Sequence, residues 1–262
     1  LTETRQPRDN AAMSDRPSLS FPDEMRSPPP RPANPIRGWV SAIVWALFIE
    51  GLLLGLALYA DQPVAQWFDQ PKFDLLRLDA REITNIGLAE HWFGLAAIIF
   101  ITCQFIIPRF PKWAARRVEL IQNWRLAGVH LFFALITSGI FLHVIKFMVG
   151  RQRPHLTTNH APMVFVPFSW HWHWQSFPSG HSQTLFSVAA MAAVLWPRLR
   201  WVIYILAAAF AMTRVVILQH FLSDAAGGAI IGYLGAQLSF HLVGARISMP
   251  NPLSNVRHKT RL

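Results

Sequence analysis

Lys146, Arg153, Arg214, His181, His220 and Asp224 are the residues of this chain whose types and spacing suit the binding and attack of an anion. They fall in three signatures, Lys146-x6-Arg153-Pro154, Pro178-Ser179-Gly180-His181 and Arg214-x5-His220-x3-Asp224. Three cations, helped by backbone N–H groups, bind a phosphate. A histidine held by an aspartate can attack one, and a second histidine can protonate the departing oxygen. The inventory is complete for hydrolysis of a phosphate ester without a metal ion.

Each signature also has a plainer reading. His220 and Asp224 share a face if their segment is helical, so the carboxylate can orient the ring and sharpen its other nitrogen. Alternatively the pair caps a helix start, where Ser223 and Asp224 suit the dipole. Arg214 lies within an apolar run, where a charge costs about 2.5–3.5 kcal/mol to insert and is kept for a function or a partner. Its planar fork matches phosphate oxygens; the alternative is a pair with Asp224. Lys146 closes an apolar run, where lysines also snorkel to head groups. Pro154 restricts Arg153 to extended backbone and so aims it. Arg151, beside it, reads as one member of an interfacial basic cluster. Lys146 and Arg153 would share a helical face if the helix continued between them, but Gly150 interrupts that run. Gly180 at a helix start exposes N–H donors to an anion, Ser179 adds a hydroxyl, and His181 follows as the acid.

These residues need elements to hold them, and the composition points to a bilayer. The 262 residues are 52% hydrophobic and 15% charged, against about 25% charged in soluble domains. The 11 Trp and 19 Phe agree, since aromatic side chains gather at membrane interfaces. A net charge of +10 falls in short segments between apolar runs rather than one stripe, which excludes nucleic acid as the partner. With 1 cysteine, Cys103, neither an intrachain disulfide nor a thiolate metal site can form.

Residues 1–37 are rich in Pro, Arg, Ser and Asp and read as a disordered tail, with Met13 an alternative start inside it. Six apolar runs follow, at 39–60, 91–107, 126–148, 181–196, 201–219 and 221–243. A crossing takes about 17–25 residues, so the fourth is short, and a break must separate the last two near Leu218–Phe221. The expected fold is therefore all-α, a polytopic bundle of six transmembrane helices over 38–245, with a basic tail over 246–262. Lys and Arg crowd the segments before the first run, between the second and third, between the fourth and fifth, and after the sixth. The positive-inside rule then places both termini in the cytoplasm and all three signatures on the outer side of the cytoplasmic membrane. Residues 63–88 alternate Trp67, Phe68, Phe73, Leu75 and Leu76 with charges and read as an amphipathic interfacial segment, or else as a partner surface.

In the order and spacing of its three signatures the chain resembles the type 2 phosphatidic acid phosphatase (PAP2) superfamily, the lipid phosphate phosphatases, over about residues 39–243. The resemblance implies a PAP2-like bundle and a metal-free enzyme without cofactors. His220 would become the phosphohistidine, Asp224 would orient it and His181 would protonate the leaving group. Lys146, Arg153, Arg214, Ser179 and Gly180 would hold the phosphoryl oxygens. One departure is visible, Thr213 where the family usually has Ser.

The expected substrate is a lipid phosphate: undecaprenyl pyrophosphate, phosphatidylglycerophosphate, phosphatidate or the phosphate of lipid A. A lipid-to-lipid phosphotransferase is the neighbouring alternative; an anion transporter leaves His220 and Asp224 without a purpose. The loop 155–177 interleaves His155, His160, His171 and His173 with Trp170, Trp172 and Trp174. His171-x-His173 offers two ligands and no carboxylate, a poor metal site, so the tryptophans are expected to anchor the loop beside a lipid substrate. Gly227, Gly228, Gly232 and Gly235 on the sixth run mark close helix packing, within or between subunits; the sequence assigns no oligomeric state.

Overall fold

The computed structural model describes residues 35–115 and 117–244. The tail expected over 1–37, save its last three residues, lies outside the described residues, as does the basic tail from 246 onward. The chain divides into two compact units, Leu1–Ala46 and Leu47–Leu262. Of the first, the described part is the opening of helix α1, Pro35–Tyr59. The second holds the bundle.

Its helices are α2 (Asp61–Phe68), α3 (Asp74–Ile83), α4 (Ala89–Ile101), α5 (Pro111–Ala115), α6 (Val118–Val149), α7 (Gly180–Leu195), α8 (Arg200–Val216) and α9 (Leu222–Val243). No strand is named among the described residues. Four helical runs are long and apolar enough to cross a membrane: Pro71–Arg109, Val118–Val149, Pro197–Val216 and Leu222–Val243. A bent pair, Phe48–Tyr59 with Asp61–Phe68, makes up to 5. The protein is an all-helical, multi-pass membrane protein. The count falls short of six because α7 has 16 residues, about 24 Å at 1.5 Å per residue, which is shorter than the hydrocarbon core. The sharp stop at Trp196-Pro197 sets that length.

Short as it is, α7 is central: it packs on α9, α8 and α6, while α6 also packs on α9 and α4. Small residues permit the closeness. A Cβ on Gly228 would fall 2.2 Å from the carbonyl oxygen of Ser179, and one on Gly232 would fall 2.1 Å from that of Gln183. The glycine stripe of α9 therefore seats α7 of the same chain. Gln183 Nε2 of α7 donates to Ser138 Oγ of α6, and Ser187 Oγ of α7 donates to the Gly232 carbonyl of α9 at 3.1 Å. Three polar side chains are thus satisfied inside an apolar bundle, where an unpaired group would be costly.

The break between the last two runs falls where length required it. Helix α8 ends at Val216, Leu218 takes φ 59, and α9 starts at Leu222. A branched aliphatic residue in left-handed backbone is unusual, and no Gly or Pro announced it.

The segment after α1 departs from its expected role. Its apolar side chains Leu75, Leu76 and Leu78 are exposed, as an interfacial helix requires. Yet Asp61, Ala65, Ala80 and Thr84 are buried, and α3 packs against α8. This segment forms a wall of the bundle as well as an amphipathic surface.

Candidate active site

Gly150 ends α6 in left-handed backbone, φ 60, and its N–H donates to the Lys146 carbonyl at 3.0 Å. A Cβ there would lie 1.8 Å from the Val166 carbonyl oxygen, so only glycine lets the returning loop approach. Lys146 is buried in the last turn, and its Nζ donates to the Gln175 carbonyl at 2.6 Å. Arg153 follows in extended backbone, φ −78 and ψ 148, as Pro154 demands. The two cations therefore meet through a reversal of the chain and not along one helical face.

Arg153 Nη1 donates to the Gln219 carbonyl at 3.1 Å and to its Oε1 at 3.2 Å, while Nε donates to the Trp172 carbonyl at 3.2 Å. The same Nη1 lies 3.5 Å from His220 Nε2. Arg214, in the last turn of α8, offers Nη1 to Thr84 Oγ1 at 3.4 Å. Its buried Nε has no hydrogen-bond partner among the described residues, so the inner edge of the fork is left for a ligand.

Ser179 caps α7: its Oγ accepts from the Ser182 N–H at 3.5 Å, and its own N–H donates to the Asp224 carbonyl at 2.9 Å. The N–H groups of Gly180 and His181 open the helix and have no intrahelical acceptor, which leaves them for an anion. The His181 ring rests on Gly87, where a Cβ would meet Cδ2 at 2.8 Å. Arg214, Arg153 and Lys146 all lie within electrostatic reach of that ring. The residues of the three signatures converge at one end of the bundle.

His220 sits in the turn between α8 and α9, not on a helix, with its N–H donating to the Arg214 carbonyl at 3.2 Å. Its Nδ1 is 2.7 Å from the Ser176 carbonyl. A carbonyl only accepts, so Nδ1 carries the proton and Nε2 presents its lone pair toward Arg153. Asp224 Oδ2 stands 3.8 Å from Nδ1, beyond a hydrogen bond. The carboxylate instead accepts from Ser176 Oγ at 2.5 Å, from the Phe221 N–H at 2.8 Å and from Arg151 Nη1 at 2.6 Å. Asp224 is thus linked to His220 only through Ser176, and it caps α9.

Burial pushes the His220 imidazole well below its ordinary 6.5, with Asp224 opposing the shift and Arg153 and Lys146 adding to it. The neutral imidazole, with its lone pair on Nε2, is therefore the form present at neutral pH. If His220 is the attacking base that the sequence reading expects, the acid limb of kcat/KM is expected to have its midpoint under pH 6.5, because lowering pH protonates the ring only below its depressed value. A pH–rate series with a lipid pyrophosphate in mixed micelles measures it, and a midpoint above 6.5 would contradict the assignment.

Sequence reasoning missed four contributors. Arg151 is 2% exposed. Its Nη2 donates to Asp61 Oδ2 at 2.7 Å, and its Nη1 to Ser223 Oγ at 2.7 Å as well as to Asp224. Its Nε donates to the Pro162 carbonyl at 2.9 Å. Burial opposes its charge, but Asp224 and Asp61 outweigh that and raise the guanidinium above its ordinary value. With its fork wholly engaged, Arg151 is a brace and not a surface charge. Thr84 accepts from the Thr213 hydroxyl at 3.0 Å and from Arg214, so the Thr213 hydroxyl is engaged beside the arginine. Gly87 makes room for His181. The one available signal was Asp61, a carboxylate directly after an apolar run.

Residues 127–248 match the family model of the PAP2 superfamily. A lipid A 1-phosphatase of Rhizobium etli is 37% identical over 150 residues, which are 57% of this chain and 64% of that protein. Another, of Rhizobium johnstonii, is 38% identical over 113 residues, 43% of this chain and 46% of that one. The chain thus spans between about half and two thirds of the length of these relatives. The crystal structure of a transmembrane PAP2 type phosphatidylglycerolphosphate phosphatase from Bacillus subtilis has the same fold. It superposes with a TM-score of 0.51 at 23% identity, over 77% of this chain and 95% of that one. All three signatures lie inside residues 127–248, the stretch that matches the PAP2 superfamily model, and the bundle brings them together at one end.

Proposed function

We propose that this protein hydrolyses the phosphate of a membrane lipid through a phosphohistidine on His220, without a metal ion or cofactor. The observation that carries the reading is the fixed tautomer of His220. Its Nδ1–H is bound by the Ser176 carbonyl at 2.7 Å, and its Nε2 faces the Arg153 fork at 3.5 Å. In the first step Nε2 attacks phosphorus, a P–N bond forms, and the P–O bond to the lipid breaks as His181 gives its proton to the leaving oxygen. In the second, His181 takes a proton from water, whose oxygen attacks phosphorus and releases His220 with inorganic phosphate. Phosphoryl transfer depends mainly on positioning and neutralisation of the non-bridging oxygens. Lys146, Arg153, Arg214 and the N–H groups of Gly180 and His181 supply both, with Ser179 holding the start of α7 in place.

Among lipid phosphates the 1-phosphate of lipid A is the favoured substrate, because two relatives at 37% and 38% identity carry that activity in their names. The phosphatase domain runs over 38–245, with α7 as the short fourth of its six crossings. The site opens on the outer face of the cytoplasmic membrane, with both termini inside. Basic residues on the opposite side of the runs support that orientation.

The test is phosphate release by the purified full chain from lipid A, undecaprenyl pyrophosphate, phosphatidylglycerophosphate and phosphatidate in mixed micelles. Release from lipid A is expected to exceed the others by about tenfold or more, a discrimination of about 1.4 kcal/mol, and to persist in chelator. Loss of all activity in chelator would overturn the metal-free reading. Transfer of phosphate to a second lipid, with none released to water, would identify the phosphotransferase.

A further inference from the structure

We infer that Asp61 is a positioning residue for the nucleophile, acting on His220 through Arg151, Ser223 and Asp224. The inference rests on the phosphohistidine reading. Asp61 opens α2, far from the three signatures in sequence, yet it is 1% exposed and directed into the cap of α9. Its Oδ1 accepts from the Ser223 N–H at 2.8 Å; its Oδ2 accepts from Ser223 Oγ and from Arg151 Nη2. Arg151 grips Asp224 with its other amino group at 2.6 Å. Asp224 in turn holds Ser176, and the carbonyl of Ser176 receives His220 Nδ1–H. Every link in this relay is a buried hydrogen bond, and every member is satisfied.

The charges explain why two carboxylates flank one guanidinium. Asp61, Arg151 and Asp224 together carry one net negative charge beside the ring that becomes positive as it attacks. Arg151 alone would neutralise Asp224. Asp61 shares the guanidinium, holds it to one side, and leaves Asp224 anionic toward Ser176 and His220. The Arg151 plane also lies 4.3 Å over the Phe221 ring, next to the nucleophile in sequence, which fixes the fork from its remaining face.

The test is exchange of heavy oxygen between labelled inorganic phosphate and water by the full chain in detergent. This reaction passes through the phosphohistidine and needs no lipid. Attack of Nε2 on phosphate forms the P–N bond and expels one oxygen as water, with its protons coming from His181 and from phosphate; the reverse step inserts an oxygen from the solvent. Asp61→Asn keeps the shape and the acceptor for the Ser223 N–H, but it removes the charge and turns a donor toward Arg151. Its maximal exchange rate is expected to fall about 10–100-fold, with the half-saturating phosphate concentration changed less than about threefold. Ser223→Ala removes the two hydrogen bonds of its hydroxyl, from Arg151 and to Asp61, but leaves the Asp61–Arg151–Asp224 pairs; it is expected to give a loss of about three- to tenfold with the same split, and it carries the test if Asp61→Asn does not insert.

A rate within twofold of the unaltered protein in both variants would overturn the inference. So would a rise of half-saturating phosphate above tenfold, which reports a collapsed pocket in place of a misaimed ring. Absence of exchange in the unaltered protein would instead overturn the phosphohistidine reading, and this inference with it.

Discussion

His220→Ala is expected to lower phosphate release by about 10⁴–10⁶-fold, the scale seen when a covalent nucleophile is removed from a machinery that acts as a unit. The fold is expected to survive. His220 is 3% exposed but lies in a turn, and its loss leaves one buried acceptor, the Ser176 carbonyl, without a donor. That costs about 1–3 kcal/mol, too little to unfold a bundle of this size. Label transferred from a radioactive lipid phosphate to protein, trapped by rapid denaturation, is expected in the unaltered chain and absent from the variant. Labelling of the variant at equal stoichiometry would move the nucleophile elsewhere, and His181 would be the first place to look.

Arg214→Lys is expected to cost about 10²–10³-fold in kcat/KM, comparable to the loss of one aimed donor in an oxyanion site. The net charge does not change, so the loss measures geometry. Arg214 reaches Thr84 with one amino group, and its buried Nε has no hydrogen-bond partner among the described residues. A lysine ammonium is one point charge and cannot satisfy Thr84 and two phosphate oxygens together. Steady-state kinetics on lipid A in mixed micelles decides it, and a loss under about tenfold would show that Arg214 serves the bundle and not the substrate.

How much of this was legible depended on where the information lay. The proposed catalytic set, which the structure brings together at one end of the bundle, stood out because its parts are short motifs in one half of the chain, each carrying a charge or imidazole in an apolar context that demands a reason. The break before α9 was readable from length, though its means, left-handed Leu218 with φ 59, was not. Arg151 was misassigned to an interfacial cluster because its partners, Asp61 and Asp224, stand 90 and 73 positions away. No periodicity reports a contact of that range. The expected i,i+4 contact between His220 and Asp224 assumed a helix that begins only at Leu222. Carboxylate and ring then ended 3.8 Å apart with Ser176 as intermediary. Thr84 and Gly87 escaped for the opposite reason, since a lone threonine and a lone glycine in a polar stretch carry no pattern at all.

The wall formed by Asp61, Thr84 and Gly87 has a bearing on kinship. It lies entirely upstream of residue 127, where the stretch shared with the superfamily begins. Two homologues can therefore preserve every hallmark residue downstream and still diverge in the panel that steadies the ring of His220, the fork of Arg214 and the imidazole of His181. Differences in turnover between such cousins are better sought in that early, unsigned stretch of chain than among the hallmarks themselves.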